Sequence, residues 1–274
     1  MEQKYSQIRQ AGLGLAAVSY DSPAILKAFS QRMHIEFPLL SDQDSAIIRR
    51  FGILNEEVNK GTPTYGIPYP GVYVLDARGV VKAKFFEDDY RQRDTAGMIL
   101  LEQFGIAPEK TSQPPIVARH VSLNLSATVL NPHMGQHLSL ILDAVVPPGV
   151  HVYAPGVKGY MAIDWQTPAT AAFDVGPVNY PPSRMMHLEA VQETVPVYTD
   201  HFRMVRNIAL RNEKDILPLL DSAGNLTVAG TFRYQACDQE KCFIPETVPL
   251  KISLHFQSLD RTRAPENLRR KSGS

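Results

Sequence analysis

Two regimes of hydrophobic patterning divide this chain. In the first hundred residues, short apolar runs alternate with stretches whose apolar side chains recur every three or four positions. Tyr5 to Gln10 reads as the end of a helix, with Gly12 as its stop. Leu13-Gly-Leu-Ala-Ala-Val-Ser19 is nearly all apolar, which suits a strand buried on both faces. Asp21-Ser22-Pro23 opens a helix with a capping side chain and a proline in the first turn. Ile25, Leu26, Phe29 and Met33 then share one helical face. Phe37-Pro-Leu-Leu40 is a short extended piece, and Ser41 or Asp42 caps a helix through Ile47, Ile48 and Phe51 that ends at Gly52. Gly71–Asp76 and Val80–Phe86 flank Ala77-Arg78-Gly79, a hairpin with glycine at the left-handed position. Arg93 to Phe104 forms a closing helix stopped by Gly105. The order predicts an α/β layer.

Beyond Ala107–Pro115, a proline-stiffened stretch without apolar periodicity, helical spacing nearly vanishes. Val121, Leu123 and Leu125 alternate with polar residues. Leu138–Val146 is a strand ended by Pro147-Pro148-Gly149, and further short strands are predicted at Ala171–Phe173, Val195–Tyr198, Phe202–Ala209 and Leu226–Tyr234. Val248, Leu250, Ile252, Leu254 and Phe256 complete the series at period two. Many short strands between proline and glycine turns predict an antiparallel sandwich. The expected layout is a first domain over 1–106, a linker over 107–115, a β-sandwich over 116–257 and a basic tail over 258–274.

Charge narrows the function classes. Lys+Arg and Asp+Glu number 28 each, a balance that gives no electrostatic case for nucleic acid or an anionic membrane. The one basic cluster, Arg261, Arg263, Arg269, Arg270 and Lys271, reads as a solvated end. No apolar run reaches the ~20 residues of a membrane span, and Met1-Glu-Gln-Lys-Tyr5 is not a secretory leader. No phosphate-binding glycine loop or Ser-His-Asp order is present, and no cofactor is expected.

The two cysteines carry the chemistry. Cys237 and Cys242 bracket Asp238-Gln239-Glu240-Lys241, between two stretches of period-two alternation that read as the arms of a hairpin. Four readings are open: a zinc site, which needs about four ligands; a structural disulfide, modest in effect for so short a loop; two unrelated buried thiols; and a redox-active pair. The last is placed first, because both thiols flank one exposed polar loop. Tyr153, Tyr160 and Trp165 around Pro155-Gly156 either line the thiol site or are core aromatics. His133, Met134 and His137 are read as a loop before a metal site, and Pro181-Pro182 with Met185-Met186 as a loop before a contact surface.

Phe232-Arg-Tyr-Gln-Ala-Cys237 and Cys242-Phe-Ile-Pro-Glu-Thr-Val-Pro-Leu250 resemble the signature of the N-terminal domain of the thiol:disulfide interchange protein DsbD. The likeness reaches back through His151-Val-Tyr-Ala-Pro-Gly156 to about residue 116. It implies an immunoglobulin-like sandwich that passes electrons by disulfide exchange, with Cys242 forming the mixed disulfide and Cys237 resolving it. It also implies a thioredoxin-like or membrane-bound thiol–disulfide reductase as partner. The family spacing has one more residue between the cysteines, and the family's aromatic cap falls near Val191. Tyr153, Tyr234, Val191, Lys241 and Pro70 are the candidate neighbours of the pair. Lys241 favours a thiolate at Cys242, against Asp238 and Glu240.

Ser19-Tyr-Asp-Ser-Pro23, Phe37-Pro-Leu-Leu-Ser-Asp42 and Tyr69-Pro70-Gly-Val-Tyr-Val-Leu-Asp76 resemble the alkyl hydroperoxide reductase/thiol-specific antioxidant family, a peroxiredoxin variant of the thioredoxin fold. That likeness implies a cis proline at Pro70 and a reactive cysteine ahead of this chain's first residues. The expectation is therefore an N-terminal truncation, with a periplasmic or extracytoplasmic location if so and a cytoplasmic one otherwise. The alternatives are a partner-binding or structural module with a stabilising disulfide, and a fragment of a fused peroxidase.

Overall fold

Most of the predicted elements of the first hundred residues form, shorter than their patterns suggest. In the computed structural model, which describes residues 1–86, 92–108, 114–189 and 191–269, helix α1 (Tyr5–Gln10) ends before Gly12, whose φ is 74°. The apolar run gives only β1 (Ala17–Ser19), parallel to β2 (Leu39–Ser41) in a two-stranded sheet. Val18 and Leu40 are 42% and 48% exposed, so the strand is not buried on both faces: a two-stranded sheet has too few neighbours to cover it. Helix α2 (Pro23–Met33) is capped by Ser22, which accepts from the Ile25 amide. Helix α3 (Ala46–Arg50) takes its cap from Asp42, whose carboxylate accepts from the amides of Ile47 and Ile48.

Strands β3 (Gly71–Leu75) and β4 (Val81–Phe86) pair antiparallel around Gly79, φ 80°, with Asp76 accepting from the Arg78 and Val80 amides. There is no cis peptide bond among the described residues. The Tyr69–Pro70 bond is trans, against the family-based expectation, and Pro70 lies immediately before β3. A two-residue strand β5 (Arg93–Asp94) precedes helix α4 (Ala96–Phe104), which starts later than predicted.

The chain divides into two compact units, 1–96 with 259–274, and 97–258. The expected boundary at 106 and the observed one differ by α4. Its Gly97 lies so close to Thr128 that a Cβ there would fall on the Thr128 carbonyl oxygen. Residues 109–113 of the expected linker and 270–274 of the basic tail lie outside the described residues. The rest of the tail carries a 3-10 turn, Glu266–Leu268, and Asp260 pairs with Arg32.

The second unit is mostly β. In chain order its strands are β6 (Ile116–Val117), β7 (Ser122–Ala127), β8 (Gln136–Val145), β9 (His151–Tyr153), β10 (Asp164–Gln166) and β11 (Phe173–Asn179). They continue with β12 (Arg184–Leu188), β13 (Glu193–Tyr198), β14 (His201–Leu210), a short helix α5 (Glu213–Ile216), β15 (Asn225–Tyr234), β16 (Ala236–Cys237) and β17 (Glu246–His255). One antiparallel sheet runs β11-β14-β8-β7-β6, a second β10-β15-β17 and a third β12-β13-β9-β16. Leu123, Leu140, Leu142 and Met204 of the first sheet pack against Trp165, Phe232, Leu250 and Leu254 of the second and Val152 of the third. The alternation read at β17 is the observed one: Val248, Leu250, Ile252 and Leu254 are buried, while Thr247, Pro249, Lys251 and Ser253 face out. No helix among the described residues is long and apolar enough to cross a membrane.

Candidate functional site: a disulfide at the junction of two sheets

The predicted hairpin exists, and its end is unusual. Strands β15 and β17 pair from Asn225↔His255 to Tyr234↔Glu246. At Gln235 the chain leaves that sheet, and Ala236–Cys237 pairs instead with β9, Ala236 opposite Val152 and Cys237 opposite His151. The Phe243 amide donates to the Ala236 carbonyl at 2.8 Å, closing the loop. Within it the Asp238 carboxylate accepts from the amides of Glu240 and Lys241, each at 2.8 Å. Those donors hold the Asp238 carboxyl below the usual carboxylate range. This turn returns Cys242 to Cys237, and the two are bridged with Cα atoms 4.0 Å apart.

The two sulfurs are not equivalent. The sequence places both at an exposed loop; in the structure Cys237 is 2% exposed while Cys242 faces solvent. Cys237 sits on β16, with Tyr153, Val195 and Val197 around it and Val157, Tyr160, Met186 and Leu188 packed outside them. The Tyr153 hydroxyl lies 3.4 Å from Cys237 Sγ and 3.5 Å from Cys242 Sγ. Neither bridged sulfur carries a proton, so the tyrosine is the donor to both. Burial, then the neighbouring Tyr160 and Glu193, push its hydroxyl up to about 12, so it stays protonated wherever thiols titrate. Tyr160 stacks on Tyr153 with centroids 4.5 Å apart and donates to Glu193 at 2.8 Å.

His151 was quoted in the sequence only as part of a motif. It proves to be a buried neighbour, 4% exposed, meeting the Tyr153 ring edge-on at 5.3 Å. Burial and then the Arg184 guanidinium lower the imidazole's proton affinity, while Asp238 raises it. The available signal was the strand period: residues 151 and 153 share a face.

The other predicted neighbours scatter. Tyr234 belongs to the main core, where its hydroxyl donates to Glu246 and accepts from the His120 amide; burial and that carboxylate raise its proton affinity. Lys241 places its ammonium 5.7 Å over the Phe243 ring. Val191 is 52% exposed at the turn between β12 and β13, beside residue 190, which lies outside the described residues. Pro70 belongs to the first unit. Trp165 is a core residue under Arg206, not part of the thiol surroundings. Met185 and Met186 lie on β12 rather than in a loop, Met185 64% exposed and Met186 against the Tyr153 cluster. His133 is hydrogen-bonded through Nδ1 to the Gln257 carbonyl.

Comparison with known proteins agrees with the motifs. The AhpC/TSA family profile matches residues 1–84, and the profile of the N-terminal region of thiol:disulfide interchange protein DsbD matches residues 123–253. Peroxiredoxin Bcp of Escherichia coli K12 is 28% identical over 94 residues, 34% of this chain and 58% of that protein. Chloroplastic peroxiredoxin Q of Populus jackii is 33% identical over 78 residues, 28% of this chain and 34% of that protein. The chain thus spans about half the length, or less, of these curated relatives. Among solved structures, the N-terminal periplasmic domain of ScsB from Proteus mirabilis aligns at TM-score 0.33 and 14% identity, over 52% of this chain and 49% of that one. The reduced N-terminal domain of Neisseria meningitidis DsbD aligns at 0.29 and 14%, over 43% and 78%. The chain therefore joins a stretch that matches the AhpC/TSA family profile to a mostly β region that matches the profile of the N-terminal region of DsbD.

Proposed function

We propose that this chain is a thiol–disulfide exchange protein whose working pair is Cys237 and Cys242, carried on an immunoglobulin-like sandwich of DsbD type. The observation that carries the reading is the asymmetry of the bridge: one cysteine exposed, one buried, and a single tyrosine hydroxyl within reach of both sulfurs. A partner thiolate can reach Cys242 Sγ. Its attack forms the partner–Cys242 bond and breaks the Cys237–Cys242 bond, and the electron pair leaves on Cys237. The Tyr153 O–H is in place to stabilise that buried thiolate. The partner's second thiolate then attacks its own bridged sulfur and releases Cys242, so the pair gains two electrons and the partner becomes a disulfide. Run backwards, the reduced pair delivers those electrons to a target disulfide.

The partner is of thioredoxin-like or membrane reductase type, and no cofactor takes part. The DsbD-type match and the formed bridge support an oxidising, extracytoplasmic compartment. Both cysteines of the chain lie in the second unit, and the AhpC/TSA-like residues 1–96 contain none. The test is covalent trapping with a thioredoxin-like partner lacking its resolving cysteine. Cys237→Ser is expected to accumulate the mixed disulfide and Cys242→Ser to accumulate none. Equal trapping on both sulfurs, or a potential below about −300 mV with a large loss of melting temperature on reduction, assigns the bridge to structure instead.

A further inference from the structure

His151 is the polar group at this site that the exchange chemistry leaves unused. It is 4% exposed, and its Nε2 is fully buried without a hydrogen-bond partner in the protein. Buried polar atoms are nearly always paired, and one that is not calls for a reason. The sheet register supplies one. His151 and Cys237 stand directly opposite each other in the β9–β16 ladder, which brings facing Cβ atoms to about 4.5–5.5 Å with both side chains on one face. Tyr153, two residues along, marks that face: its hydroxyl reaches Cys237 Sγ at 3.4 Å and its ring touches the imidazole. In the bridged state Cys237 Sγ has no proton to share. In the reduced state it has one, on the residue that stands opposite His151 in the ladder.

We propose that His151 accepts and returns the proton of Cys237 during exchange; the assignment rests on the exchange reading above and adds a residue to it. In the bridge-forming direction Cys242 is joined to a partner sulfur. His151 takes the proton of the Cys237 S–H, giving an imidazolium and a buried thiolate. The thiolate attacks Cys242 Sγ, the Cys237–Cys242 bond forms, the Cys242–partner bond breaks, and the electron pair leaves on the partner's sulfur. The imidazolium then passes its proton to the departing thiolate or to solvent. In the reverse direction the imidazole first takes the proton of the attacking partner thiol or one from solvent, and the imidazolium so formed protonates Cys237 as it leaves.

The surroundings favour this role over the alternatives. The groups facing His151 are Tyr153 on its own strand, Cys237 and Asp238 at β16, and Arg184 on β12. Burial and Arg184 outweigh Asp238 and hold the imidazole below its ordinary 6.5, so at pH 7 it is neutral, the form that accepts a proton. Tyr153 keeps its own proton to about 12 and serves only as a donor. Glu193, the nearby carboxylate, is engaged by Tyr160.

The experiment is stopped-flow reaction of the reduced protein with an aromatic disulfide that releases a coloured thiolate. Attack by Cys242 releases the first equivalent, and displacement by Cys237 releases the second; Cys237→Ala removes the second phase and so identifies it. In the wild-type protein the second-phase rate should rise with pH through an ionisation below 6.5 and then level off. In His151→Gln the first phase should be unchanged and the second slowed about 10²-fold at pH 7, climbing steadily as the thiol itself ionises. His151→Asn serves where the glutamine variant does not fold. An unchanged second phase and pH profile in either variant overturns the assignment. If neither folds, the wild-type profile decides: an inflection only in the thiol range, about 8.5 or above, overturns it. A wild-type protein with no first phase overturns the exchange reading itself.

Discussion

At the scale of single residues, Tyr153 is the side chain whose chemistry the site states most directly. Its hydroxyl is the one donor within reach of both sulfurs among the hydrogen bonds described. A hydrogen bond to a charged group contributes about 1.5–3 kcal/mol, and 1.4 kcal/mol is a factor of ten. Tyr153→Phe should therefore slow reduction of the bridge by dithiothreitol about tenfold or more at pH 7, because the Cys237 thiolate leaves without its donor. A rate equal to wild type would remove the tyrosine from the mechanism. The sign of its pH dependence follows from a hydroxyl raised from 10 to about 12 in the fold. The folded state holds the proton more tightly than the unfolded chain. That contribution to stability is complete below pH 10 and is lost as pH rises through about 12. How legible this was differs by residue. Tyr153 and the cysteines stood out in the sequence as parts of a motif. The contrast between Cys237 and Cys242 did not, because a two-residue strand has no period to say which neighbour is buried.

Among the elements, those with a full alternating pattern could be read and those defined by what they pack against could not. Strand β17 buries every second residue, and its pattern alone predicts it. Helix α4 was visible as a helix, yet being apolar nearly all round it gave no sign of where it would pack. Gly97 supplies the answer, since it lets the helix backbone lie on Thr128. In an exposed helix Gly→Ala gains about 0.5–1 kcal/mol. Here the added methyl meets a carbonyl oxygen, and Gly97→Ala should instead destabilise by about 1–3 kcal/mol, read as a lowered urea midpoint of the second unit's transition. A raised midpoint would show that the helix is held loosely there. The departure of the chain from one sheet to another at Gln235 also escaped the sequence, because Phe232, Tyr234 and Ala236 continue the same alternation straight through the switch.

For the whole molecule, the two matched stretches differ in their thiols. Residues 1–96 hold no cysteine. Serine and tyrosine hydroxyls titrate too high to replace a peroxidatic thiolate at neutral pH. Hydrogen peroxide consumption with excess dithiol should therefore stay at the uncatalysed rate in a chain carrying both Cys237→Ser and Cys242→Ser. Rapid turnover surviving both substitutions would show that the AhpC/TSA-like stretch has a catalytic group of another kind. The sheet switch at Gln235 has a mechanical side. Strand β15 lies in one sheet and β16, its direct continuation, in another, so this short piece of backbone is a stitch between two sheets. The disulfide is tied at that stitch. A displacement of either sheet is carried through the backbone at Gln235 to Cys237, and so reaches the disulfide.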